Sequence, residues 1–153
     1  MVKINNNFTQ SLLLVILMFT CNQVIATVQC GFIAPEGWNQ ANTRWNGDCV
    51  SGNADGLGVL KEFENRKVKR FIFGRFVKGE IQQGVIDQKD GYSSGQFKSG
   101  VLITSEDRQV FIDSFRVAAK AASLVASRYR KLGNKGSAQF YEKKRKELEQ
   151  QMN

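Results

Sequence analysis

The sequence predicts an α+β fold: an antiparallel β-hairpin meander followed by a C-terminal helical hairpin. Three observations carry that expectation. A glycine frame of constant length occurs three times between residues 47 and 100. Short β-branched and aromatic runs, parted by polar turn residues, fill the same stretch. Beyond residue 104 the apolar residues recur at a helical period.

The frame reads Gly47-Asp-Cys-Val-Ser-Gly52, Gly74-Arg-Phe-Val-Lys-Gly79 and Gly95-Gln-Phe-Lys-Ser-Gly100. Its first glycines are spaced by 27 and then 21 residues, the self-similarity of a repeat array. The residues inside each frame are expected to form a strand. The second glycine follows Ser51, Lys78 or Ser99 and supplies the positive φ of a tight turn. Two places after the first glycine stand Cys49, Phe76 and Phe97, expected to point to one face and cover the neighbouring hairpin. A lone hairpin buries too little apolar surface to be stable, so the units must stack.

These residues resemble the MORN repeat family over about residues 43–103. The first unit, Trp45-x-Gly47-x-Cys49-x-x-Gly52-x-x-x-Gly56-x-Gly58, follows the family's order of aromatic, glycine, aromatic and spaced glycines, with Cys49 in the second aromatic's place. The second, Ile72-x-Gly74-x-Phe76-x-x-Gly79, keeps the core and has its next glycine at Gly84, one place late. The third, Gly95-x-Phe97-x-x-Gly100, has Tyr92 one place early and no trailing glycines. The resemblance implies a role in protein–protein association or membrane attachment. A glycine-rich meander unrelated to that family is the alternative the residues leave open.

Residues 1–26 read as a signal peptide. Lys3 precedes an uninterrupted apolar run at 12–19, and Val24-Ile25-Ala26 suits a cleavage site. The run is short of the roughly 20 apolar residues a spanning helix needs. The expected localisation is export, periplasmic or secreted, after cleavage near Ala26. A retained N-terminal anchor and lipid attachment at Cys21 are the alternatives, the latter in a poor Met18-Phe19-Thr20 context. Cleavage leaves Cys30 and Cys49, an even pair that reads as a disulfide in an oxidising compartment. It would close a loop of about 20 residues, worth roughly 3 kcal/mol. Cys49, facing the core, would tie the N-terminal segment over the open end of the first hairpin. Two buried free thiols are the alternative.

Residues 31–43 hold the sole proline, Pro35, then Gly37 and Trp38, and are expected to form an irregular cap. Trp38 is expected to cover the core there rather than to stack a ligand. Strands are expected at 58–63, 68–77, 84–86 and 101–103, with turns at Asn65-Arg66 and Asp90-Gly91. A disulfide-capped repeat domain thus spans 27–104, and a basic helical hairpin spans 105–153.

Thr104-Ser-Glu-Asp107 predicts a helix start with Thr104 as the N-cap. Phe111, Phe115, Ala118, Ala122, Val125, Tyr129 and Leu132 then form one helical stripe, which Gly133 ends. A second helix is expected over about 137–150, with Ala138, Tyr141, Leu148 and Met152 apolar and Arg145 interrupting them. The short connection predicts an αα-hairpin whose first helix lies on the sheet. Tyr129, Leu132-Gly133, Ala138 and Tyr141 are also similar to a tetratricopeptide-type helix pair, but one pair makes no array.

The net charge is +8. Residues 27–104 hold 10 Lys+Arg against 8 Asp+Glu; residues 105–153 hold 11 against 6. The helical excess clusters at Arg128, Arg130 and Lys131 and again at Lys143, Lys144 and Lys146. A basic helical face suits a protein partner or an anionic lipid surface; a merely solvated face is the alternative. No motif for reading nucleic acid is present. The chain has no histidine, which excludes Ser-His-Asp and most zinc sites. Asp48, Asp55, Glu62 and Glu64 have no defined separation, and residues 52–58 hold too few acids for a calcium loop. No cofactor is expected. The expected function is a non-catalytic interaction or scaffold module. A peripheral membrane binder and a carboxylate-based envelope hydrolase are the alternatives.

Overall fold

The structure, a computed structural model, describes residues 29–153. The export signal, its cleavage near Ala26 and the Cys21 alternative lie outside the described residues. Six strands follow one another in sheet order, each antiparallel to the next: β1 Thr43–Val50, β2 Asn53–Glu64, β3 Lys67–Val77, β4 Glu80–Gln88, β5 Gly91–Lys98 and β6 Val101–Ile103. The helices α1, Arg108–Lys131, and α2, Lys135–Gln150, complete the expected α+β fold.

All three glycine frames end in the same turn. Ser51 and Gly52 have φ of 50° and 80°, Lys78 and Gly79 of 49° and 88°, Ser99 and Gly100 of 52° and 78°. Two consecutive positive values make a type I′ turn, whose twist matches that of antiparallel strands. The frames are therefore the β1–β2, β3–β4 and β5–β6 hairpins.

The first glycines answer to packing. Gly47, Gly58, Gly74, Gly84 and Gly95 lie in register across β1 to β5, a row without side chains. The Trp45 ring lies over its first two members, so that a Cβ on Gly47 or Gly58 would overlap it. Ile81 lies over Gly74 in the same way. Gly56, between the paired Gly58 and Asp55 of β2, sits opposite the bulge at Gly47/Asp48.

Strand alternation sends apolar side chains to both faces. Val59, Phe73 and Val85 meet Phe115, Ala118, Ala122 and Val125 of α1, with Tyr141 and Leu148 of α2 behind them. Leu60, Ile72, Phe76, Ile81 and Phe97 form the other core with Trp38, Phe32 and Trp45. Each fully buried side chain of this size contributes roughly 1.5–3 kcal/mol. Phe76 and Phe97 thus cover their neighbours as expected, and the Trp45 and Phe76 rings lie 4.5 Å apart.

Residues 30–38 form a strap across this second face. Its N–H groups at Gly31, Ile33 and Glu36 donate to the carbonyls of Gly52, Gly79 and Gly100, at 2.7, 2.9 and 3.0 Å. The second glycine of every frame is thereby tied to one segment. Cys30 and Cys49 form the disulfide, with Cα atoms 5.7 Å apart. Two expectations need correction. The N-terminal segment covers a face of the sheet, not its open end, because the second face carries an apolar surface that the helices leave uncovered. Cys49 is exposed rather than core-facing, since β1 is the edge strand and Cys30 is its cover.

The strap ends in a latch. The Glu62 carboxylate accepts from Asn39 N at 2.7 Å and from Arg70 Nε at 2.5 Å. Arg70 also stacks 4.6 Å from the centre of the Trp38 ring and donates to the Gly37 carbonyl. Burial alone would raise the Glu62 pKa, but Arg70 and Asn39 outweigh it and hold the carboxyl below its usual range.

Candidate functional site: the basic helical face

Helix α1 starts later than expected. Its N-cap is Asp107, whose carboxylate accepts from Gln109 N at 2.8 Å, and Thr104 lies outside the helix. The side chain one residue before the helix satisfies an orphan N–H directly, so the capping-box spacing at Thr104 goes unused. The C-terminus closes as a Schellman turn: Asn134 N donates to Tyr129 O at 2.9 Å, Gly133 N to Arg130 O at 3.1 Å, and Gly133 has φ 73°. Asn134 then caps α2 by accepting from Ser137 N. This tight reversal sets the two helices side by side. It also turns Leu132 outward, 79% exposed, although its spacing placed it on the buried stripe.

The reversal does not gather the six candidate cations into one patch. Arg130, Lys143 and Lys146 line one interhelical groove, joined by Lys135, with a cavity volume of about 460 Å³. Arg128 and Lys131 line a separate groove beside β1 and β2. Lys144 turns toward the sheet, 2.8 Å from Asp87 of β4 and 3.1 Å from Glu147. Burial works against its charge, but these two carboxylates prevail and raise its pKa. Lys144 is thus a tie between α2 and the sheet, not part of the exposed face as expected. Its partner Asp87 is distant in sequence, so no local signal marks it.

The acid in the interhelical groove is already engaged. Glu142 accepts from Arg145 at 2.7 Å, and Arg145 also binds Glu149 at 2.5 Å. The bond from Arg145 is the main reason that the Glu142 carboxyl lies below its usual pKa, against the opposing effect of burial. Arg145 interrupts the apolar stripe because it forms this clamp along α2. Arg130, Lys135, Lys143 and Lys146 consequently face one groove whose lining carboxylate, Glu142, is paired by Arg145, while Lys143 also lies 3.8 Å from Glu147. Sequence reasoning missed Lys135. Its signal was proximity to the turn, which brings the first residue of α2 beside the last turn of α1.

Among the described residues, no helix is long and apolar enough to cross a membrane. No group of metal-ligating side chains occurs among the described residues either. No family model, curated protein or solved structure matches the chain. What the fold defines is a hairpin-repeat sheet held by a strap on one face and carrying a basic helical pair on the other.

Proposed function

We propose that the chain is an exported, non-catalytic interaction module built on MORN-like hairpins, and that it takes an acidic protein partner along the interhelical groove. The supporting observation is the convergence of Arg130, Lys135, Lys143 and Lys146 on that groove beside a carboxylate that Arg145 has already paired. Arg130, Lys135 and Lys146 have no ion-pair partner among the described residues, and Lys143 lies 3.8 Å from Glu147. Such an excess of cations favours association with an anionic surface and raises its rate. The disulfide supports export, being the kind of bridge that persists in oxidising compartments. The hairpin array serves as the scaffold: three equivalent turns held by one strap give the helices a rigid support. Lysine-specific cross-linking of the mature protein to its captured partner, read by mass spectrometry, tests the assignment. Cross-links should concentrate at Lys135, Lys143 and Lys146. Cross-links confined to Lys67, Lys69 and Lys98 would overturn it.

One observation favours a second reading, a peripheral membrane binder. Leu132 projects from the αα-turn between Lys131 and Lys135, an apolar tip flanked by cations. Co-sedimentation with vesicles of phosphatidylserine and phosphatidylcholine separates the two. Leu132→Ser would abolish vesicle binding and leave untouched a protein partner held in the interhelical groove, which Leu132 does not line.

A further inference from the structure

A second groove runs along the other side of α1. Lys120, Leu124, Arg128 and Lys131 face it from the helix, at intervals of four, four and three residues, so they form one stripe. Leu57 of β2 lines the opposite wall, Leu132 forms the lip, and the cavity volume is about 820 Å³. At 1.5 Å per residue, the stripe from Lys120 to Lys131 is about 16 Å long, about three helical turns.

The groove is both apolar and cationic. Leu57 and Leu124 are half-buried against the helix–sheet core and still line it. Three cations stand over them. The acid among the lining residues is Asp48, whose Oδ1 lies 3.2 Å from Arg128 Nη1. That nitrogen is buried and has no hydrogen-bond acceptor; the Asp48 contact is one of charge without hydrogen-bond geometry. Lys120 and Lys131 have no ion-pair partner among the described residues.

We propose that this groove binds an acidic amphipathic helix, which seats leucine-type side chains on Leu57, Leu124 and Leu132 and turns its carboxylates to Lys120, Arg128 and Lys131. Charge complementarity selects the sign of the occupant, and the apolar wall selects against a purely polar polymer. A bilayer fits less well. The groove is concave, and a flat surface that touches Leu132 does not reach the half-buried Leu57. The site shares no lining residue with the interhelical groove, so each can fail alone.

The probe is a fluorescein-labelled, end-capped peptide of about three helical turns with leucines at i, i+4 and i+7 and glutamates on its flanks. Its binding to the mature protein is read by anisotropy at 0.15 M salt. Saturable binding is expected. Lys120→Glu with Lys131→Glu should weaken it at least tenfold, and Leu132→Ser at least threefold. All three positions are exposed, so circular dichroism should show unchanged folding. Replacing the peptide's leucines by serine at equal charge should weaken binding at least tenfold. Arg130→Gln with Lys143→Gln should change it less than twofold, which separates this groove from the interhelical one. No binding by the wild type, equal binding by the variants, or equal binding of the serine peptide would overturn the proposal. So would tighter binding to phosphatidylserine vesicles than to the peptide with the same dependence on Leu132, which would make the groove a lipid surface.

Discussion

The backbone N–H of Ile33 donates to the carbonyl of Gly79 at 2.9 Å. Gly79 is the second glycine of the middle frame, and the equivalent glycines on either side, Gly52 and Gly100, accept from the same strap. The strap therefore reads the repeat with its backbone. Its side chains Phe32, Ala34 and Trp38 then close the apolar face beneath. A tie at one end of the strap should be felt by all three hairpins.

The disulfide is that tie. Cys30→Ser with Cys49→Ser should lower unfolding stability by about 2–4 kcal/mol, as the loss of a bridge over a loop of this length implies. Urea unfolding of the oxidised wild type and the variant measures it. Titration of the unfolded, unreduced mature protein should find no free thiol. Two reactive thiols there would contradict the pairing.

The two kinds of glycine in the frame should respond differently. Gly52 has φ 80° and open space around its α-carbon, so Gly52→Asn should cost under about 1 kcal/mol, asparagine being tolerant of that backbone. Gly58 lies under the Trp45 ring, so Gly58→Ala should cost about 1–3 kcal/mol or more by overpacking. Equal effects on the urea midpoint would show that the ring does not hold the row.

How far the sequence discloses this fold is visible in the same residues. The tight turns were legible at their second residue, where glycine takes positive φ without strain; the positive φ of Ser51, Lys78 and Ser99, which makes them type I′, was not, because serine and lysine seldom adopt it. The glycine row was not, since it exists only once register sets Gly47, Gly58, Gly74, Gly84 and Gly95 side by side. The third frame, poor in trailing glycines, still makes the same turn, because the turn needs only Ser99 and Gly100. Leu132 continued the helical period but lies just past the helix end, where the Schellman turn reverses the chain. The basic face was legible as composition and not as geometry: Lys144 is drawn to Asp87 across the fold, while Lys135 and Lys120 are drawn into grooves by their neighbours.

Glu62 makes acid sensitivity predictable. Its folded pKa lies below the ordinary 4.5, so its contribution is full above that value and is lost as pH falls through the lowered folded pKa. Stability should therefore decline below about pH 4.5 with uptake of a proton at this site. Glu62→Gln should cost about 1.5–3 kcal/mol at pH 7, the range for a hydrogen bond to a charged group, and should flatten that acid limb. An unchanged acid limb in the variant would assign the sensitivity to other carboxylates.

Neighbouring lysines of α2 should separate cleanly. Lys144 is mostly buried and paired with Asp87, so Lys144→Gln should destabilise the fold by about 1–3 kcal/mol, leaving a partly buried carboxylate without its cation. The Lys143 side chain is 78% exposed, so Lys143→Gln should stay within about 0.5 kcal/mol. Thermal unfolding of the two single variants at neutral pH checks the contrast. Equal melting temperatures would remove Lys144 from its place as a tie between helix and sheet.

The most direct test of the interhelical groove as the contact surface is the salt dependence of binding to an acidic polypeptide. Poly-L-glutamate serves as the probe, with the mature wild type compared against Arg130→Gln, Lys143→Gln and Lys146→Gln combined. Lys144 is left intact so that the fold is preserved. The wild type should bind at 50 mM salt and weaken steeply by 0.3 M, as screening of surface charge requires. The triple variant should unfold normally and bind at least tenfold more weakly at low salt, with a shallower salt dependence. A triple variant that binds as tightly as the wild type, with the same salt slope, would contradict the account and leave these cations as a solvated face.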